Sequence, residues 1–195
     1  RSIARGQWGA AAARPVQGLR GRKLGLLGVG RIGGAVVERA RPFGFSLQAH
    51  DPYLSNEDFR RMGLASVSHD ELIASSDVLS IHLPLCRDTY HVIGAASLAR
   101  MKPDAFLVNV SRGGLVDEAA LVDSLENDRL AGAALDVFEA EPVAADSPLL
   151  GVKNLIVTSH CAWYSEEALG RLQEFAALEA ARLLRGERPR HAVNR

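Results

Sequence analysis

The chain has 195 residues, 47% of them hydrophobic and 24% charged, the balance of a soluble globular domain with one sizeable core, which excludes a disordered or membrane-embedded segment. Lysine plus arginine and aspartate plus glutamate each total 23, so there is no basic field to hold nucleic acid directly, and partners are to be sought in local sites. No apolar run approaches the ~20 residues that span a bilayer; Cys86 and Cys161 make neither a disulfide framework nor a zinc-ligand spacing, so no metal is expected and the cytoplasm is the expected compartment.

In chain order, Arg1-Ser2-Ile3-Ala4-Arg5-Gly6-Gln7-Trp8 reads as the last turns of a helix that begins upstream. Short aliphatic or β-branched runs then predict strands at 23–27, 46–50, 78–82, 106–109, 132–136 and 155–157. Between them, stretches of helical period predict helices at 32–41, 56–62, 71–75, 95–101, 117–127 and 165–184. The alternation predicts an α/β fold, a doubly wound parallel sheet of Rossmann type with helices on both faces. Runs such as Leu24-Gly25-Leu26-Leu27 and Phe106-Leu107-Val108 are apolar throughout, as strands buried on both faces require. The arginine-rich stretch 182–190 reads as a solvated helix end, where cations suit the dipole.

The first predicted strand runs into Gly28-Val29-Gly30-Arg31-Ile32-Gly33, and the helical pattern starts there. Gly28 allows a tight turn, Gly30 lets the backbone approach a pyrophosphate, and Gly33 lets helix and strand pack closely; the helix N-terminus offers its amides to the phosphates. The next strand ends at Asp51, 18 residues after Gly33, where a carboxylate accepts the hydroxyls of an adenosine ribose. That carboxylate repels a 2′-phosphate, so NAD is expected over NADP. The alternative is a glycine-rich turn with Asp51 capping a loop before Pro52.

Three later strand ends each deliver a polar group to the side where ligands bind in such sheets. Arg112, in Val110-Ser111-Arg112-Gly113-Gly114, could fork onto a substrate carboxylate or polarise its carbonyl; otherwise it is a surface arginine pairing with Asp117 or Glu118. Asp136-Val137-Phe138-Glu139-Ala140-Glu141-Pro142 begins on the last residue of the fifth predicted strand, and His160 lies just past the sixth. Carbonyl reduction needs a proton at oxygen, which histidine can deliver near neutrality, and Glu141 is the carboxylate expected to stabilise its charged form. His50, His69, His82, His91 and His191 read as structural or surface residues.

These runs, together with Asn-Val-Ser-Arg-Gly-Gly-Leu-Val-Asp-Glu at 109–118, resemble the D-isomer-specific 2-hydroxyacid dehydrogenases over nearly the whole chain. The resemblance implies that Arg112 binds substrate carboxyl and carbonyl, that His160, beside the cofactor, is proton donor and acceptor, and that Glu141 is its partner. It also implies that Asp136 contacts the nicotinamide end of NAD, and that Arg31, Ile32, the loop 83–89 with Leu83, Pro84 and Thr89, and Val110 and Ser111 line the cofactor groove. The substrate would be a 2-oxo or 2-hydroxy acid, and the chain a homodimer through its NAD-binding domain.

His160-Cys161-Ala162-Trp163-Tyr164-Ser165 and Asp51-Pro52-Tyr53-Leu54-Ser55 are similar to the corepressor-like branch of that family, the C-terminal-binding proteins. Trp163 would then wall the substrate pocket against a hydrophobic or medium-sized acid, or be an ordinary core tryptophan. Ser159 stands where the family more often has proline. The family's domain plan implies that residues 1–20 end an inter-domain connection, that 21–185 form the NAD-binding domain, and that 186–195 belong to a substrate domain largely absent from the chain. A rival function is a protein-binding module that responds to NAD(H) with little turnover.

Overall fold

Side chains alternate across a strand, and β1 (Lys23–Leu27) shows what that alternation builds. Leu24 and Leu26 pack with Val37 and Ala40 of α1 (Arg31–Ala40) and Phe59 of α2 (Asn56–Arg61). Leu27 joins the larger core with Leu72 and Ile73 of α3 (His69–Ser75), Leu98 of α4 (Ala95–Leu98) and Leu121 and Leu125 of α5 (Glu118–Glu126). A strand so covered has to be apolar on both faces, as its sequence is.

The computed structural model describes residues 5–6, 8–9, 16–190 and 192. The strands β1, β2 (Ser46–His50), β3 (Ala65–Ser66), β4 (Val78–Ile81), β5 (Phe106–Asn109), β6 (Gly132–Leu135) and β7 (Leu155–Val157) form one sheet in the order β3-β2-β1-β4-β5-β6-β7. Every pairing is parallel, with Leu27 opposite His50 on one side and Ile81 on the other. The chain leaves β1 toward β2 and returns from β3 to β4, so the order reverses between β1 and β4, and ligands bind outside the strands' C-terminal ends at such a point.

Helix starts follow their caps. Ser68 accepts the Glu71 N–H, which starts α3 at His69, two residues before the predicted start. Ser55 and Asp58 form a reciprocal box at the start of α2, and Asp117 accepts the Ala120 N–H to start α5. The predicted β4 and β6 each lose their last residue, α4 is shorter than 95–101, and β3 is a strand the sequence did not announce.

The chain divides into two compact units, Arg1–Val157, which contains the whole sheet, and Thr158–Arg195, which contains α6 (Glu166–Leu184). Ser165 caps α6 by accepting the Ala168 N–H. Leu172, Phe175 and Leu178 are exposed along α6. The expected helix end at residues 1–8 falls largely, and His191 entirely, outside the described residues. No helix among the described residues is long and apolar enough to cross a membrane.

Candidate functional site

No side chain caps the start of α1. Its N-cap is Gly30, in extended conformation, with no side-chain cap and no acidic residue in the first turn, so the positive end of the helix is open to an anion. Gly28 adopts φ 91°, and a Cβ at Gly33 would fall 2.5 Å from the Gly28 carbonyl oxygen. A Cβ at Gly30 would meet nothing within 4 Å, which marks the side from which a pyrophosphate can approach. The turn therefore fits a dinucleotide. Asp51, just past β2, holds it from below: its Oδ2 accepts the Val29 N–H at 2.8 Å and its Oδ1 the Tyr53 N–H at 3.0 Å.

A groove of about 890 Å³ runs from this turn across the strand ends. Gly30, Arg31 and Ile32 line it from α1, His82, Leu83, Pro84 and Leu85 from the loop after β4, and Ser111 and Arg112 from the turn after β5. The β5 turn is held by buried Asn109, whose Oδ1 accepts the Ser111 N–H and whose Nδ2 donates to the Arg112 carbonyl. Ser111 Oγ donates to Leu83 O at 2.9 Å and so ties the two loops together.

The exposed Arg112 donates from Nη1 to the Ser111 carbonyl. Its two expected surface partners are engaged elsewhere, Asp117 as the cap of α5 and Glu118 with the Glu139 backbone. Thr89 and Val110 do not line the groove. Thr89 shapes the loop instead, donating to Pro84 O at 2.7 Å and accepting the Cys86 N–H at 2.8 Å.

His82 lines the groove although its residue type gave no sign of it; the signal was its place directly after a central strand, whereas Leu85 lies in the 83–89 loop that the resemblance assigned to the groove. Burial pushes the His82 imidazole below its usual range, favouring the neutral ring, and Ser80 Oγ lies 2.9 Å from its Nε2.

On the neighbouring strand, buried Asp136 follows β6 with its N–H donated to Asn109 O. Glu141 is exposed, and its Oε1 accepts the Phe138 N–H at 2.9 Å. His160 and Trp163 belong to the second unit. His160 takes a left-handed backbone, φ 56°, and its carbonyl accepts the Trp163 Nε1–H at 3.0 Å. Trp163 is 51% exposed and meets Tyr164 edge to face, so it is not a core tryptophan. The structure thus gathers the glycine turn and Arg112 into one groove, sets Glu141 on the adjacent strand end, and assigns His160 to the other unit.

Residues 1–162 match the family described as D-isomer specific 2-hydroxyacid dehydrogenase, NAD binding domain. The chain is 44% identical over 175 residues to a glyoxylate reductase of Korarchaeum cryptofilum, covering 89% of this chain and 52% of that protein. Among solved structures it is similar to the D-lactate dehydrogenase of Lactobacillus jensenii with NAD+, with a TM-score of 0.87, 30% identity, and coverage of 100% of this chain and 62% of that one. It is also similar to an acyclic imino acid reductase in complex with NADPH and D-Arg, with a TM-score of 0.87, 30% identity, and coverage of 99% and 60%. The chain therefore spans between about half and three fifths of the length of these relatives.

Proposed function

This chain belongs to the D-isomer specific 2-hydroxyacid dehydrogenase family, as its NAD binding domain, and from that membership we propose that it is the nucleotide-holding part of an oxidoreductase acting on a 2-oxo or D-2-hydroxy acid. The observation that carries the reading is the single groove shared by the uncapped glycine turn and Arg112. When bound there, the nicotinamide supplies the hydride for the substrate carbon or takes it away.

The chain's own residues do the rest. The guanidinium of Arg112 binds the substrate carboxylate and polarises its carbonyl, for which a planar, always-charged group is suited. His160 gives the carbonyl oxygen its proton in reduction and takes it back in oxidation, with the Glu141 carboxylate stabilising the charged ring. Trp163 presents an apolar wall to the acid's side chain. A homodimer is part of the proposal, supported by the exposed Leu172, Phe175 and Leu178 of α6. The corepressor-like branch rests on the 51–55 and 160–165 runs alone, and the similar proteins named above are a reductase, a dehydrogenase and a reductase, so the enzyme reading is preferred to a binding module.

The test is a screen of 2-oxo acids against NADH oxidation by the full-length protein. In the protein active on the best acid, His160→Ala is expected to lower kcat by about 10²- to 10⁴-fold, the usual worth of a positioned acid or base, and to leave NADH affinity nearly unchanged. Near-normal turnover without His160 would overturn its role as acid and base, and a protein that binds NADH but reduces no 2-oxo acid would restore the binding-module reading.

A further inference from the structure

Gly113 leaves no space for a side chain: a Cβ there would lie 1.9 Å from the Phe138 carbonyl carbon and 2.4 Å from the Glu139 nitrogen. The turn carrying Arg112 therefore packs backbone on backbone against the turn carrying Glu141. Two glutamates stitch this contact from outside. The Glu118 N–H donates to Glu139 Oε1 at 3.0 Å, and the Glu139 N–H donates to Glu118 Oε1 at 2.6 Å. Carboxylates accepting amides make short, strong bonds.

His91 closes the third side. Its N–H donates to Gly114 O at 2.8 Å, its Nε2 lies 3.2 Å from Glu139 Oε1 without hydrogen-bond alignment, and its Nδ1 lies 3.9 Å from Asp117 Oδ2. Its backbone is left-handed, φ 51°, and its ring stacks on Tyr90 with centroids 4.0 Å apart. Burial pushes the Glu118 carboxyl above the usual range; the Glu139 N–H pulls it back, and the charges of Glu139 and Glu141 add to the rise.

The stitching reaches the groups proposed to react. Glu141 folds back on its own turn to accept the Phe138 N–H, so its aim depends on where residues 138–141 sit, and Glu118 and Glu139 decide that. We propose that Glu118 and Glu139 are positioning residues: by accepting each other's backbone N–H they hold the turn that aims Glu141 against the turn that aims Arg112, with the His91 ring facing Glu139. The proposal rests on the dehydrogenase reading above.

The experiment uses the full-length protein with NADH and its best 2-oxo acid. Because a misplacement of an ångström can cost up to about 100-fold, Glu118→Ala and Glu139→Ala are each expected to lower kcat by about 10- to 100-fold, with the Kd for NADH unchanged. Since the pair acts as one unit, the double alanine variant should be no more than about twofold slower than the worse single one. Glu139→Gln keeps an oxygen for the Glu118 amide and should recover most of kcat. Hydrogen exchange at the amide of residue 118 should quicken in Glu139→Ala, and at residue 139 in Glu118→Ala. Alanine variants within twofold of an active wild type, or multiplicative losses in the double variant, would overturn the positioning role alone. A wild type that binds NADH but reduces no 2-oxo acid would overturn the dehydrogenase reading, and the positioning role with it.

Discussion

Asp51 spends both carboxylate oxygens on backbone amides, one in the glycine turn and one in the loop that follows β2. A carboxylate has about four lone-pair sites, so the same group can still accept a ribose hydroxyl while its charge opposes a 2′-phosphate. Asp51→Ala is therefore expected to do two things: narrow the preference for NADH over NADPH, and weaken both by about 10-fold as the turn loosens. Calorimetry with both nucleotides checks this, and wild-type binding of NADPH as tight as that of NADH would remove the discrimination argument altogether. At this scale, legibility depends on whether a residue type has a restricted use. Gly28, Gly33 and Asp51 stood out in the sequence because few residues can do what those places require. Glu118 and Glu139 did not: Glu118 read only as a possible surface partner of Arg112 and Glu139 as one acid in the 136–142 run, until the fold sets each carboxylate against the other's amide.

The elements were legible wherever they carry a repeating pattern. Two-residue β3 carries none, and it exists because Ala65 and Ser66 are drawn alongside Gln48 and Ala49 of β2. At the opposite ends of the strands from the groove, Asp77 welds three elements. Its Oδ2 accepts the N–H of Lys23 at 2.7 Å, its Oδ1 accepts Lys102 Nζ at 2.8 Å, and its carbonyl accepts the N–H of Phe106 at the start of β5. Burial alone would raise this carboxyl, but the Lys102 ammonium, the Lys23 amide and the nearby Arg22 together hold it below its usual value. A depressed folded-state pKa gives stability that is present above the unfolded value, about 3.9, and is lost as pH falls through the lower folded value. Asp77→Asn is thus expected to lower the melting temperature at neutral pH by about 2–8 °C, with the gap to wild type closing in acid. A gap that does not change with pH would show that the charge is not what holds these strand starts together.

For the whole molecule, the alternation of strands and helices and a ligand site at the strands' C-terminal ends were legible in the sequence, whereas the sheet order that reverses between β1 and β4, and the substrate, were not. The similar proteins, a glyoxylate reductase, a D-lactate dehydrogenase and an imino acid reductase, are named for different substrates, so the likeness singles out none of them. The chain covers 52% of the glyoxylate reductase and 62% of the D-lactate dehydrogenase; on the proposed function, these 195 residues alone are expected to bind NADH yet reduce 2-oxo acids at least about 100-fold more slowly than a protein of the relatives' full length, because orientation and water exclusion are worth powers of ten. Equal turnover numbers for the two would refute that division. The sheet order carries one more consequence. The nucleotide turn sits over β1 near the centre, while the turns of Arg112 and Glu141 follow β5 and β6, beside the three-residue edge strand β7. Edges fray before centres, and the contact at Gly113 that aims these groups parts as soon as β6 peels from β5. On the proposed function, gentle warming is therefore expected to stop turnover before it releases the coenzyme, and a thermal-shift assay stabilised by NADH should report a higher limit than the temperature at which activity is lost.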